Sequence, residues 1–131
     1  MPLDFASNVA PTRKQVTGLR NYHDGLAAED NAAVECRLRG LVVLEHRWRG
    51  PHGEIDLICR DGDEYVFVEV KKAASHDAAA ERLTQRQINR IINTAYDYLA
   101  DKPNGMMAFW RVDAALVDRH GKVEILTNIT I

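Results

Sequence analysis

The chain has 131 residues and a mass of 14.8 kDa, a size typical of one domain with a single hydrophobic core. Hydrophobic residues make up 46% and charged residues 27%, which excludes disordered, collagen-like and low-complexity proteins. The 17 basic and 19 acidic residues give a formal net charge of -2, which by itself argues against a polyanion as partner.

The predicted elements alternate between helical and β periodicity. In chain order they are a flexible arm at residues 1–17, a helix at 19–39, three strands at 41–48, 54–60 and 64–71, a helix at 77–100, and two strands at 106–118 and 122–131. A helix between the third and fourth strands favours a parallel crossover. We therefore expect an α/β fold, with residues 18–131 forming one domain that contains a mixed sheet flanked by helices.

The cysteines and the hydropathy pattern indicate the cellular compartment. Cys36 and Cys59 lie in apolar patterns without CxxC spacing, which indicates buried free thiols in a reducing compartment. No apolar run approaches the ~18 residues that a membrane span requires, and the N-terminus lacks a signal-peptide pattern. We expect a cytoplasmic protein that does not interact with a membrane.

The second hairpin of the meander concentrates acidic residues. If Asp61-Gly62 forms a two-residue turn, Glu54 lies opposite Glu69, and Asp56 is a diagonal neighbour of Glu69. A four-residue loop would instead place Asp56 directly opposite Glu69. In both registers Glu54, Asp56, Glu69 and Lys71 share one face of the sheet, so a divalent cation could bridge Asp56 and Glu69.

An exposed acidic face is the alternative, because antiparallel sheets often leave one side in water. Tyr65 and Phe67 argue against it, since they share the face of Glu69 and predict apolar surroundings for that carboxylate. In the first helix, Glu29 lies within an apolar stripe at helical spacing. It would point towards the acidic patch if this stripe packs on the meander, and it would otherwise reach solvent at the edge of the stripe.

The motifs GEID at residues 53–56 and FVEVK at residues 67–71 resemble the YraN family of small bacterial proteins. That family is similar in turn to the PD-(D/E)XK nuclease superfamily, which includes Holliday-junction resolvases. The similarity runs from about Gly25 to Val117. Arg111-Val112-Asp113 also looks like a family motif, whereas Gln87 stands where family members often have a lysine.

The resemblance implies a restriction-endonuclease-like αβββαβ core and metal-dependent cleavage of phosphodiesters. It implies that Asp56 is the motif aspartate, that Glu69 and Lys71 are the E-x-K pair, and that Glu29 is an auxiliary acid. The backbone carbonyl of Val70 would be a further metal ligand, as in the related nucleases.

Mg²⁺ or Mn²⁺ is the expected cofactor, because Mg²⁺ prefers oxygen ligands and needs only one or two carboxylates beside water and phosphate. Asp56 and Glu69 meet that need, and Glu29 and Glu54 are candidates for additional ligands, directly or through water. Lys71 could position the attacking water or stabilise the transition state. Its alternative role is a strand-end lysine that extends into solvent.

Locally basic surface would have to contact the substrate. Arginines repeat at i, i+4 and i+8 in the second predicted helix, a spacing suited to phosphates but also common on solvated helix faces. A second basic group precedes Glu54, and a glutamine flanks the helical stripe. The predicted nucleic-acid contacts are Arg82, Arg86, Arg90, Arg47, Arg49 and Gln87.

The leading expectation is a metal-dependent endonuclease acting on DNA, with branched DNA among its candidate substrates and repair or recombination as its setting. Bound cations would offset part of the acidity that the net charge records. The alternative is a catalytically silent nucleic-acid-binding module with the same fold. A hydrolase of small phosphate esters is disfavoured because no Gly-rich phosphate loop is present. The free edges of a small mixed sheet are compatible with a homodimer.

Overall fold

The computed structural model describes residues 12–130, and for residues 14–24 it describes the backbone alone. The secondary structure follows the α/β order expected from the sequence. The elements are α1 (Arg13–Leu38), β1 (Val42–Gly50), β2 (Gly53–Asp61), β3 (Glu64–Lys72), α2 (His76–Glu81), α3 (Gln85–Ala100), a 3-10 turn (Gly105–Met107), β4 (Trp110–Val117) and β5 (Val123–Leu126).

The strands form one five-stranded mixed sheet in the order β1-β2-β3-β4-β5. β3 and β4 are parallel, and the other neighbouring pairs are antiparallel. The predicted crossover is therefore confirmed, with α2 and α3 connecting β3 to β4. This architecture confirms the α/β class and is consistent with an αβββαβ core.

Helices cover both faces of the sheet because the central strands are apolar on both sides. On one face, Ala32, Ala33 and Cys36 of α1 pack with Leu57 and Val68. On the other face, the α3 side chains of Ile91, Ala95 and Leu99 pack with Ile58 and Phe67 of the sheet. Tyr65 and Phe67 thus lie on the α3 face, as the alternation along β3 predicts.

Both cysteines are buried free thiols, as expected. Of the predicted arm at residues 1–17, residues 1–11 lie outside the described part of the chain. Residues 13–17 belong to α1, which begins at Arg13 rather than at residue 19. Within residues 12–130, no helix has the length and apolar character needed to cross a membrane.

The predicted helix at 77–100 is wrong as a single element. The backbone at Thr84 is extended, with φ −103° and ψ 155°, and the Thr84 hydroxyl accepts a hydrogen bond from the backbone N–H of Gln87. This N-cap starts α3 anew and separates it from α2. Arg82 is consequently the C-cap of α2, so the predicted arginine stripe is not continuous along one helix.

The last two strands are also shorter than predicted. Residues 105–107 form a turn because Asn104 adopts a left-handed conformation, with φ +58°, and β4 begins only at Trp110. β5 ends at Leu126. Beyond it, the backbone N–H of Asn128 donates a hydrogen bond to Asp113 instead of extending the strand pair.

The second hairpin adopts a different register from the favoured one. Asp61 pairs with Glu64, so Gly62-Asp63 forms the turn, and Ile58 pairs with Phe67. Gly62 has φ +60°, which suits a turn with glycine at the first central position rather than the predicted Asp-Gly order. Glu54 is therefore not opposite Glu69. The observed pairing of residues is the alternative register that was predicted for a four-residue loop, although the turn itself contains only two residues.

Candidate active site

A cleft of about 450 Å³ opens where the carboxyl end of β3 meets α1 and the end of α2. Its polar lining comes from α1, β2, β3 and the C-cap of α2. The polar residues are Glu29, Asp56, Glu69, Lys71, Lys72 and Arg82. Val70 also lines the cleft. The cleft thus combines three carboxylates with three cationic side chains, and it brings together the four residues predicted as catalytic.

Asp56 lies where the regular alternation of β2 is interrupted. Ile55 and Ile58 both pack on the α3 face, whereas Leu57 packs on the α1 face. The ladder with β3 ends at Leu57, one residue after Asp56. Asp56 Oδ2 accepts a hydrogen bond of 2.8 Å from the backbone N–H of Val70, which holds the carboxylate against β3.

Glu69 is the most deeply buried acid of the cleft. Only 6% of the residue is exposed, and its Oε2 atom makes no hydrogen bond within residues 12–130. Arg90 Nη2 lies 3.8 Å from that atom, beyond hydrogen-bond distance. Burial, and then the charge of neighbouring Asp56, raises the pKa of Glu69 to about 8. The carboxyl group therefore holds a proton at neutral pH unless a cation offsets its charge.

Arg90 approaches Glu69 from α3, and the tight turn between β1 and β2 leaves room for it. A Cβ atom at Gly53, which has φ +149°, would lie 3.0 Å from Arg90 Cδ. Glycine at this position thus accommodates both the backbone conformation and the stem of the arginine. The side chain of Arg90 is 46% exposed, so its guanidinium faces both Glu69 and solvent.

Lys71 lies in the cleft, two residues beyond Glu69 on the same strand. Its ammonium is 3.3 Å from the side-chain oxygen of Gln87 when the amide nitrogen of Gln87 faces the Arg82 carbonyl oxygen, 2.7 Å away. Gln87 was predicted to contact nucleic acid. The structure places it beside Lys71, at the junction of α2 and α3.

Two of the predicted metal ligands have arginine partners. Glu29 borders the cleft, but its Oε2 atom is 2.8 Å from Arg47 Nε. Glu54 lies outside the cleft lining, and its Oε2 atom is 3.0 Å from Arg49 Nη2. The predicted convergence of four acids is therefore reduced to Asp56 and Glu69, with Glu29 at the side.

The predicted nucleic-acid contacts fall into separate groups. Arg82 lines the cleft, and its Nη1 atom donates a hydrogen bond to the Lys72 carbonyl oxygen. Arg90 lies beside Glu69, a residue of the cleft, whereas Arg86 is exposed on α3. Arg47 and Arg49 are engaged with glutamates of α1 and β2. The proposed arginine surface is consequently divided among three elements.

Lys72 is a cleft residue that the sequence analysis missed. It follows Lys71 at the end of β3, where strict alternation would send its side chain to the opposite face. Val70, which packs on that opposite face, also lines the cleft, so the cleft reaches both faces of the sheet at the end of β3. A second lysine directly after the E-x-K pattern was the available signal.

Within the described part of the chain, no group of three or more His, Cys, Asp or Glu side chains is arranged to hold a metal ion. Two carboxylates remain as candidate ligands, and the Oε2 atom of Glu69 is a buried oxygen without a hydrogen-bond partner in the described part of the chain. Mg²⁺ requires only one or two protein carboxylates, with water or phosphate oxygens completing its shell. The donors Asp56 and Glu69, with the Val70 carbonyl, fit that requirement.

Comparisons with known proteins identify the family. Residues 28–117 match the uncharacterised protein family UPF0102. A UPF0102 protein of Cereibacter sphaeroides strain KD131 is 48% identical over 86% of this chain and 97% of its own length. A UPF0102 protein of Ruegeria pomeroyi is 46% identical over 85% of this chain and 90% of its own length. The chain therefore belongs to UPF0102, the YraN family that its GEID and FVEVK motifs indicated.

Proposed function

We propose that this protein is a metal-dependent nuclease that hydrolyses phosphodiester bonds in DNA. The observation that supports this function most strongly is the buried Glu69 carboxylate, whose Oε2 atom has no hydrogen-bond partner in the described structure and borders an open cleft beside Asp56. A buried carboxylate charge whose oxygen makes no hydrogen bond destabilises the folded protein, and Arg90 at 3.8 Å offsets that charge only in part. A divalent cation shared with Asp56 would offset it.

Asp56 and Glu69 would hold the cation, and the carbonyl oxygen of Val70, which lines the same cleft, would be a third donor. When bound, a divalent cation supplies Lewis-acid chemistry that offsets the negative charge developing on the phosphate. The hydrogen bond from the Val70 N–H fixes Asp56 before any ligand arrives. The site would therefore be partly preorganised, which favours transition-state stabilisation.

The cationic residues of the cleft support a phosphodiester as substrate. Lys71, Lys72 and Arg82 line the same cavity as the carboxylates. Lys71 would neutralise charge at the reacting phosphate, and Lys72 and Arg82 would contact neighbouring phosphates. An extended polyanion suits such an open, charged cleft better than a small ester, which usually binds in an enclosed pocket.

A catalytically silent nucleic-acid-binding module is the second candidate function, and one observation favours it. Glu29, the third carboxylate that lines the cleft, is paired with Arg47 and would reach a cation there only after a rearrangement. A protein that binds DNA through Lys71, Lys72 and Arg82 alone would need no such rearrangement.

A cleavage assay separates the two functions. Duplex, single-stranded and four-way-junction DNA would be incubated with the protein in Mn²⁺, Mg²⁺ or EDTA, beside Asp56→Asn and Lys71→Met. We expect cleavage that requires a divalent cation and falls at least 100-fold in both variants. Glu54→Gln is the matched control, because it removes a nearby carboxylate outside the cleft lining.

Equal cleavage by wild type and both cleft variants would contradict the proposed site. Salt-sensitive DNA binding without cleavage, lost on substitution of Arg82 and Lys72, would support the binding module instead.

A further inference from the structure

A lysine that acts on a phosphate needs its ammonium held in one place. The side chain has four rotatable bonds, and fixing them opposes a large conformational entropy. Catalytic groups are therefore usually held by a neighbour whose own position is fixed by rigid structure. Lys71 lies near the end of β3 and borders the open cleft, so β3 alone does not determine where its ammonium lies.

We propose that Gln87 is a positioning residue that fixes the Lys71 ammonium in the cleft by accepting a hydrogen bond from it. This inference rests on the proposed function for its catalytic consequence, and the contact itself can be tested separately. The two groups are 3.3 Å apart in the amide orientation that also satisfies the Arg82 carbonyl oxygen.

Gln87 is itself held from two sides. Its backbone N–H donates a 3.1 Å hydrogen bond to the Thr84 hydroxyl, which fixes the first turn of α3. In the amide orientation that faces Lys71, its side-chain nitrogen donates to the Arg82 carbonyl oxygen, 2.7 Å away at the C-cap of α2. In the opposite orientation its side-chain oxygen accepts a longer hydrogen bond of 3.4 Å from the Thr84 N–H. The helix that bears it is anchored in the core by Ile91, Ala95 and Leu99. In the orientation that satisfies the Arg82 carbonyl, the amide oxygen faces Lys71 from a rigid base.

An amide suits this position better than a carboxylate. Only an amide can donate to the Arg82 carbonyl and accept from Lys71 with one planar group. A glutamate here would place its oxygen against the carbonyl oxygen of Arg82, two acceptors without a proton between them. A neutral acceptor also orients the ammonium without adding a negative charge that would offset the positive charge of Lys71.

The contact can be measured in metal-free protein by ¹⁵N NMR of the lysine side-chain ammonium groups, with Lys71→Arg to assign the signal. The test variants are Gln87→Ala and Gln87→Met, the second of which keeps the length of the side chain. Gln85→Ala is the matched control, because Gln85 lies in the same turn of α3 and donates to Asn89, at 2.9 Å.

We expect the Lys71 signal to shift and its hydrogen exchange to accelerate severalfold in both Gln87 variants, and to stay unchanged in Gln85→Ala. An unchanged Lys71 signal in Gln87→Met would overturn the inference, whatever the activity of the protein.

Cleavage kinetics test the catalytic consequence. We expect Gln87→Met to lower kcat about 10-fold with KM within about twofold of wild type, because losses of a supporting residue are commonly 10- to 100-fold. A Gln87→Met variant that cleaves like Gln85→Ala would overturn the positioning role. Wild-type protein without cleavage would refute the proposed nuclease function, while the NMR comparison would still decide the contact.

Discussion

The backbone N–H of Val70 donates a 2.8 Å hydrogen bond to Oδ2 of Asp56, and this contact joins the two strands that bear the acids of the cleft. It lies beyond the point where the regular β2–β3 ladder ends, at Leu57 and Val68. Asp56 thus continues the strand pairing with its side chain. The same contact brings its charge next to Glu69, where it acts on the pKa of that residue.

Substituting Asp56 should therefore lower the pKa of Glu69. Asp56→Asn removes the negative charge that, after burial, is the largest cause of the raised value of about 8. We expect the pKa to fall towards the ordinary value but to stay above it, since burial is unchanged. A ¹³C NMR titration of the glutamate carboxyl carbons in EDTA measures it. An unchanged value in Asp56→Asn would show that the two groups do not interact.

Glu69 should make the stability of the metal-free protein depend on pH. The unfolded chain loses this proton near pH 4.5, whereas the folded protein keeps it until about pH 8. Between those values the folded state binds more protons, so this contribution to the free energy of unfolding falls as pH rises. Above about pH 8 the loss is complete.

The difference between Glu69→Gln and wild type isolates that contribution. Relative to wild type, the variant should gain on the order of 1–3 kcal/mol in the free energy of unfolding from about pH 5 to about pH 8.5. Chemical denaturation in EDTA at several pH values provides the comparison. A difference that is constant over this range would contradict the buried, protonated state of Glu69.

Removing Arg47 should release Glu29 towards the cleft. The two side chains form an ion pair of 2.8 Å, and more carboxylate charge at a cation site raises its affinity. We expect Arg47→Ala to bind Mn²⁺ about three- to tenfold more tightly, with a stability loss below about 1 kcal/mol. Calorimetric titration measures the affinity.

Arg49→Ala is the control for that experiment, because Arg49 pairs with Glu54 outside the cleft lining. Equal Mn²⁺ affinities in the two variants would mean that Glu29 does not reach the cation.

Arg82 should contribute to DNA binding through phosphate contact. We expect Arg82→Gln to weaken binding of all sequences similarly and to reduce the slope of log K against log salt by about 1. Arg60→Gln is the matched control. Arg60 is exposed, and it lies opposite Tyr65 in the β2–β3 ladder, towards the end of β3 that is remote from the cleft. Identical salt slopes for the two variants would remove Arg82 from the interface.

The strands and their faces were predictable from the sequence because β periodicity and glycine-containing turns are local signals. Phe67 and Val68 lie on opposite faces as expected. The hairpin register was not predictable, because both candidate turns contain Gly62 and differ only in whether it stands first or second. The break before α3 was missed because Thr84 competes with helix continuation through a side-chain cap, which the apolar period does not reveal.

The site was predictable where it depends on one hairpin and unpredictable where it depends on packing. Asp56, Glu69 and Lys71 follow from the GEID and FVEVK motifs, and the structure brings them into one cleft. The pairing of Glu29 with Arg47 joins α1 to β1 across 18 positions of sequence. Arg47 has φ +51°, a conformation that residue type does not foretell. Long-range contacts of this kind depend on the assembled fold rather than on local pattern.

We propose that Asp56 and Glu69 together hold a divalent cation. Anomalous X-ray diffraction from crystals soaked in Mn²⁺ tests it most directly, because the anomalous peak locates the ion independently of any activity. We expect one strong peak in contact with both carboxylates and within reach of the Val70 carbonyl oxygen, and no such peak in Asp56→Asn crystals. A saturating soak that leaves this cleft without a peak would show that Asp56 and Glu69 do not hold a cation.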